Sequence, residues 1–463
     1  MRPPPSKPSL VILTLAAMLA VPNQVEYLQD YQFMDWRRIP EVVDFQPRVN
    51  PAAAAAEEEP RLSPERVAAS AEVFRIAGAE GALDAFYEAL HQTELRRPGA
   101  VVRVLHYGDS PTTADLITGD VRRLLQRQFG DAGHGFCLLA KPWAWYGHAG
   151  VTLRAAGWEM EAATMNRTRD GFYGLGGVSF RGEAGAWAQW TFRDPGHTSL
   201  ELSYLAQPGG GAVRIVADGQ VVGKVETAAA AISPGFTEVR APRPVQEFEV
   251  RAEGPVRLFG AVFRKPGAGV IYDSLGLNGA SVYILARIFN ERHWAAQLAQ
   301  ARPDLVVINY GTNESGYLSY IDQYYTKELK EIIRRVRTAT PQASILIMSP
   351  MDRGRREPGG AIGTLPGIPK LAAIQRQVAL ETGCAFFDTY QAMGGSGTMG
   401  RWYEAEPRLV AGDFIHPLPP GARIVGKLMY QALLEGFPRY KVRKMQQRFA
   451  QAEVRPGERT VRR

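Results

Sequence analysis

Two rhythms of apolar and polar positions alternate along this chain. Residues 101–109 (VVRVLHYGD) form a short β-rich run that leads into Ser110. An amphipathic stretch over 112–129 follows and stops at Gly130. The same succession returns late in the chain. DLVVINYG (304–311) precedes the helical YTKELKEIIRRVRTAT, SILIMSP (344–350) precedes PKLAAIQRQVALETG, and CAFFDTY (384–390) precedes a last helix expected over 420–435. Short apolar runs alternating with helices of about 12–18 residues predict an α/β domain, its parallel sheet covered by helices on both faces.

Between these halves the period drops to two. Runs such as AWAQWTFRD, SLELSYLA, AVRIVADGQVVGKVET and VRLFGAVF fill residues 143–266 and are separated by Gly, Pro and Asp. Asp218-Gly219-Gln220 marks a hairpin tip. This pattern predicts a β-sandwich, jelly-roll-like, inserted into the α/β domain. The α/β domain then has two parts, 63–142 with a helical lead-in and 267–438. In the lead-in, Ser63 and Pro64 suit a helix start, and Val67, Val73, Phe74, Ile76, Leu83, Phe86 and Leu90 recur at roughly helical spacing. Residues 23–62, rich in Pro, Ala and Glu toward their end, read as a linker.

One sustained apolar run exists, over residues 9–22, preceded by Arg2 and Lys7. That is the layout of an export signal, and it falls short of the about 20 residues that span a bilayer comfortably. The expected location is periplasmic or extracellular, with residues 1–22 serving as a signal peptide or as a retained anchor. The net charge of +7 resides in the basic tail 439–463, where nine Lys or Arg face only Glu453 and Glu458. Such a tail suits an anionic envelope polymer or lipid, and a solvated tail without a partner is the plain alternative. Nucleic acid is not an expected partner of an exported chain. Cys137 and Cys384 sit in apolar contexts and read as two buried thiols, with one disulfide as the alternative.

Four blocks carry candidate chemistry, each at a strand end or in the loop that follows, where open α/β sheets bind ligands. Gly108-Asp109-Ser110 places a hydroxyl and its own amide at the start of a helix, where the amide can donate to a developing oxyanion. In the loop DSLGLNGA, Gly279 can bring a backbone N–H close to a carbonyl. Gly311-Thr312-Asn313-Glu314 offers the Asn313 amide as a further donor, with Glu314 serving the loop. In Asp413-Phe414-Ile415-His416-Pro417, a carboxylate three residues before a His can hold one ring nitrogen and leave the other free. Taken singly, each block has an ordinary structural reading: a helix cap for Ser110 and Asn313, a plain turn for Gly279, a surface pair for Asp413 and His416.

Their order in the chain resembles the SGNH hydrolases, also called the GDSL family. The resemblance covers 101–130 and 271–437 and leaves the insertion outside. It implies a three-layer α/β/α core, with Ser110 as nucleophile, His416 as general base and Asp413 orienting the imidazole. The Ser110 and Gly279 amides and the Asn313 side chain would form the oxyanion hole, and no metal or cofactor is implied. One departure is Pro111, which stands where the family name has leucine. The G-x-S-x-G elbow of α/β-hydrolases is absent, as are HExxH, CxxC and glycine-rich phosphate loops. A structural or substrate-contact role is expected of His106, His134 and His148.

A sandwich within such a core is similar to bacterial peptidoglycan and polysaccharide O-acetylesterases. The resemblance therefore implies an acetylesterase acting on an envelope glycan. An O-acetyltransferase with the same triad and a non-catalytic glycan-binding protein are the alternatives. Trp143, Trp145, Trp158, Trp187 and Trp190 cluster in or before the insertion, where ring faces suit sugars and the core is the competing use.

Overall fold

The computed structural model describes residues 74–453. The export segment, the linker, the lead-in up to Val73 and the end of the basic tail lie outside the described residues. Of the lead-in, residues 74–83 are not helical. Ala77 instead exchanges backbone hydrogen bonds with Phe386 (2.8 and 2.7 Å) at the edge of the parallel sheet. The first helix, α1, is Asp84–Glu94.

Strand β1 (Val101–Gly108) leads through a single helical turn, α2 (Ser110–Thr113), into α3 (Leu116–Phe129). The amphipathic stretch is thus broken at Asp115, which takes a left-handed conformation (φ 55°). Its carboxylate is claimed from three sides, by Arg122 (2.5 Å), Thr118 (2.6 Å) and the Ala149 amide (2.8 Å).

Ten strands follow: β2 (Gly135–Cys137), β3 (Val151–Ala162), β4 (Val178–Phe192), β5 (His197–Ala206), β6 (Ala212–Ala217), β7 (Gln220–Glu226), β8 (Ser233–Val245), β9 (Glu247–Ala252), β10 (Val256–Arg264) and β11 (Gly269–Gly276). The rest alternates: α4 (Glu291–Ala301), β12 (Leu305–Asn309), α5 (Thr326–Ala339), β13 (Ser344–Met348), the small hairpin β14 (Gly354–Arg356) and β15 (Ile362–Thr364), α6 (Gly367–Glu381), β16 (Ala385–Phe387), α7 (Thr398–Glu404) and α8 (Pro419–Glu453).

The central sheet is parallel, in the order β11-β1-β12-β13-β16. Its strands are apolar on both faces, and successive residues serve different cores. Val102, Val104, Leu305, Val307, Leu346 and Met348 pack with Phe86, Leu90, Val121, Leu125, Val425 and Met429 of α1, α3 and α8. Leu105, Tyr107, Val306, Ile308, Ile345 and Ile347 face Trp294, Leu298, Leu329, Ile333 and Val378 of α4, α5 and α6. A period of two with both faces buried gives the three-layer arrangement.

Strands β3 to β10, with β2, form one hydrogen-bonded antiparallel sheet whose central path runs β7-β6-β9-β4-β10-β5-β8. The turn at Asp218-Gly219 has positive φ at both residues (43° and 77°), the geometry a two-residue hairpin loop needs. Although β7 and β8 lie at opposite ends of the path, a Cβ placed on Gly223 would sit 2.8 Å from Val239 Cγ1. The two edges therefore meet, and the sheet rolls over on itself. The sheet begins earlier than residue 143, because β2 pairs with β10. A buried ion pair fixes that joint. Asp273 on β11 accepts from Arg103 Nε on β1 (2.8 Å) and from the Phe136 amide on β2 (2.6 Å).

Helix α8 does not end near residue 435 but runs on to Glu453. Its cations are tied back to acidic groups. Lys441 bonds Glu94 (2.9 Å), Arg443 bonds Asp84 and Glu80, Lys444 bonds Glu88, and Arg439 bonds Glu435. Four of the nine tail cations are thus neutralised within the molecule. Cys137 and Cys384 are buried free thiols. Of the tryptophans, Trp190 is fully buried and donates to the Leu138 carbonyl (2.9 Å). Trp143, Trp158 and Trp187 are half-buried, and Trp145 alone of the five is exposed.

Candidate active site

The turn that carries Ser110 is built by close approach of two glycines to α2. A Cβ on Gly108 would lie 2.2 Å from Thr112 Oγ1, and one on Gly276 would lie 2.4 Å from the Thr113 nitrogen. Only glycine at the ends of β1 and β11 lets α2 nest over the sheet. Ser110, the first residue of α2, is 9% exposed. Its Oγ lies 2.8 Å from His416 Nε2, across 306 positions of sequence.

His416 sits in a loop closed by the bridge between Val410 and Pro417 and by the Ala411 amide donating to the His416 carbonyl (2.9 Å). Inside it, Phe414 adopts a left-handed φ of 59°, which turns the chain back. The Phe414 ring is held edge-on to Tyr403 with centroids 4.9 Å apart. That reversal lets one carboxylate serve the whole turn. Asp413 Oδ1 accepts the amides of Ile415 (2.9 Å) and His416 (3.1 Å), while Oδ2 lies 2.6 Å from His416 Nδ1. Burial opposes ionisation of Asp413, but the ring and the two amides outweigh it and hold its carboxyl below the usual range. The geometry selects the tautomer in which Nδ1–H donates to Asp413 and Nε2 accepts from Ser110.

Gly279, with φ 71°, stands exposed in the loop after β11. Asn313 lies half-buried in the turn after β12 and spends one amide hydrogen on the Ala280 carbonyl (2.7 Å). Its second amide hydrogen is left to donate. Ser110 thus opens α2 directly after β1, while Gly279, Asn313, Asp413 and His416 fall on loops.

Two buried carboxyls hold the loops together: Glu314, expected to serve its loop, and Asp109, whose role spacing alone did not assign. Asp109 is 2% exposed, and its Oδ2 accepts the Thr312 amide (3.2 Å), tying the Ser110 turn to the Asn313 loop. Burial pushes it up to about 6, against the pull of Thr312 and of the His416 charge. Glu314 is also 2% exposed and takes the Val282 amide on Oε1 (2.8 Å), which clasps the Gly279 loop to the Asn313 loop. Burial raises it to about 8, the Val282 amide lowers it and the Asp109 charge raises it further. Arg353 also went unmarked in the sequence. It donates to the Thr312 carbonyl (2.7 Å) and Ser315 Oγ (3.2 Å) from the loop before β14. Nothing in its sequence context distinguishes it from other arginines. His106 is buried on β1 with Nδ1 2.7 Å from the Tyr272 hydroxyl, and His134 and His148 pack on each other at the rim of the antiparallel sheet.

A three-layer core with a Ser–His–Asp line and donors on the neighbouring loops is the arrangement of SGNH-type esterases, which this chain resembles. Residues 249–424 match the GDSL-like lipase/acylhydrolase family, a span that holds Gly279, Asn313, Asp413 and His416 but not Ser110. Among solved structures the fold is similar to that of a peptidoglycan O-acetylesterase, at 23% identity and a TM-score of 0.66, over 77% of this chain and 96% of that one. A family two carbohydrate esterase from Clostridium thermocellum in complex with cellohexaose aligns over 62% of this chain and 100% of its own, at 11% identity and a TM-score of 0.29. An acetyl xylan esterase aligns over 35% and 80%, at 18% identity and 0.27. Those last two likenesses are too loose to bear on the argument. No curated protein matches the sequence.

Proposed function

We propose that the protein is a serine esterase that removes O-acetyl groups from an envelope glycan, peptidoglycan first, through an acyl-enzyme. The observation that carries this reading is the line from Asp413 through His416 to Ser110, at 2.6 and 2.8 Å. His416 Nε2 takes the Ser110 proton as Oγ attacks the acetyl carbonyl. The oxyanion that forms is met by the amides of Ser110 and Gly279 and by the free amide hydrogen of Asn313. His416 returns the proton to the departing sugar oxygen, leaving acetyl on Ser110. Water, deprotonated by His416, then releases acetate.

The fold shared with a peptidoglycan O-acetylesterase supports the choice of substrate. We read the rolled antiparallel sheet as a sandwich-like, carbohydrate-binding module inserted into the hydrolase domain. The cationic start and apolar run of residues 2–22 support export to the envelope. There, tail cations not engaged by α1 would face anionic polymer or lipid.

The test is p-nitrophenyl acetate turnover and acetate release from O-acetylated peptidoglycan by the full chain, beside Ser110→Ala. Both activities should fall at least ~10³-fold in the variant. Turnover that survives Ser110→Ala removes Ser110 as nucleophile, and a wild type that leaves the glycan acetylated removes the substrate.

A further inference from the structure

The loops that carry Gly279 and Asn313 are clasped together twice, by Asn313 Nδ2 on the Ala280 carbonyl and by the Val282 amide on Glu314. Exposed aromatic side chains spring directly from this clasp. Tyr283 follows Val282, and Tyr317 closes the turn after Asn313 by donating its amide to the Glu314 carbonyl (2.9 Å). Tyr283 is 40% exposed, Tyr317 68%, Leu318 47% and Tyr324 47%. Of the five exposed large aromatic side chains among the described residues, these tyrosines are three, the others being Phe74 and Trp145. A solvated concentration of large rings beside a reaction centre marks an interaction site.

The patch is not purely apolar. Arg287 stands over the Tyr283 ring (6.0 Å) and pairs with Glu328 (2.7 Å). Glu328 accepts from the Tyr320 hydroxyl, and the Tyr320 and Tyr324 rings are 5.8 Å apart. Ring faces therefore alternate with a guanidinium, a carboxylate and phenol hydroxyls. A pyranose needs that mixture, because it offers one face of C–H groups to a ring and a rim of hydroxyls to polar partners. A long acyl chain would need an enclosed aliphatic groove, and a protein partner a larger dry core.

We infer that Tyr283, Tyr317 and Tyr324 form a sugar-binding shelf, on which residues of the glycan next to the acetylated one stack while the acetyl group enters the site. The ligand class rests on the esterase reading, whereas the existence of the shelf does not. Continuity with the Gly279 and Asn313 loops means that a sugar held there is registered against the reaction centre through the same clasp.

Two measurements on the full chain test this. The first is the ratio of kcat/KM on O-acetylated peptidoglycan fragments to kcat/KM on p-nitrophenyl acetate. It should fall about tenfold in Tyr283→Ala/Tyr317→Ala, mainly through KM for the glycan. The second is co-sedimentation with O-acetylated peptidoglycan in a Ser110→Ala background, where adding the two substitutions should weaken retention about tenfold. An unmoved ratio or undiminished retention overturns the shelf, as does a change of oligomeric state without either effect. A wild type that releases no acetate sinks the esterase reading alone, since retention is still read directly.

Discussion

Ser110 stands on a closely walled turn, with Gly108 against the Thr112 side chain and Gly276 against the α2 backbone leaving no room for a Cβ, and only 9% of the residue is exposed. Its partners ride a loop of another kind. The side chains of Asp413 and His416 are 45% and 42% exposed, and the loop is held by a handful of hydrogen bonds and the reversal at Phe414. Repulsion from many directions positions Ser110, so its place is inseparable from the fold. Local bonds position His416, so its geometry can fail while the fold survives. A rigid Ser110 beside a locally tethered His416 puts the precision of the site at risk in the loop first.

The largest expected contrast comes from Asp413→Asn. It keeps the shape of the loop but turns the imidazole to the wrong tautomer. Turnover of p-nitrophenyl acetate should drop by about 10⁴-fold with the thermal midpoint nearly unchanged. A drop below tenfold would mean that the amides of the turn, not the carboxylate charge, orient His416.

On the other side, Gly276→Ala drives a methyl into the Thr113 nitrogen and the Thr112 carbonyl carbon, at 2.4 and 2.6 Å. Backbone must move, and Ser110 with it. Activity should fall by about 10²-fold and stability by about 1–3 kcal/mol together. If calorimetry shows lost activity with full stability, the distinction between the two halves is broken.

The smallest effect concerns Glu314, on the buried side. Its folded carboxyl titrates near 8 against a reference of 4.5, so the folded state holds the proton more tightly. Stability from this group is complete below pH 4.5 and declines as the pH rises through 8, by on the order of a few kcal/mol. Asp109, raised to about 6 from 3.8, adds a decline of the same sign over a lower window. Glu314→Gln should flatten the upper part of the decline, a difference of a few degrees in melting temperature near pH 8. Parallel melting curves for wild type and variant would show that Glu314 is ionised at neutral pH.

Much of this protein is written locally. The two-residue alternation of β1, β12 and β13 and the helical period of α3 to α6 are visible because each element's own side chains repeat with its geometry. The Asp413–His416 turn is equally local, since three residues suffice to bring a carboxylate onto a ring nitrogen. The order of the four blocks, at strand ends, was therefore enough to single out Ser110, Gly279, Asn313, Asp413 and His416 as candidates.

Other features needed the folded chain. Residues 74–83 have helical spacing yet are not helical, and Ala77 instead bridges Phe386, because the free sheet edge there offers backbone partners. Gly135–Cys137 is too short to announce its sheet, and its pairing with β10 is decided by the buried Asp273. Three tail cations, Lys441, Arg443 and Lys444, look free in sequence but meet the carboxylates of α1 more than 340 positions away. Burial of Asp109 and Glu314, which turns two ordinary acids into clasps of the site, depends on helices packed over the sheet edge. Periodicity reports what a segment does with its own neighbours; desolvation and long-range approach belong to the whole molecule, and they alone set Ser110 2.8 Å from His416.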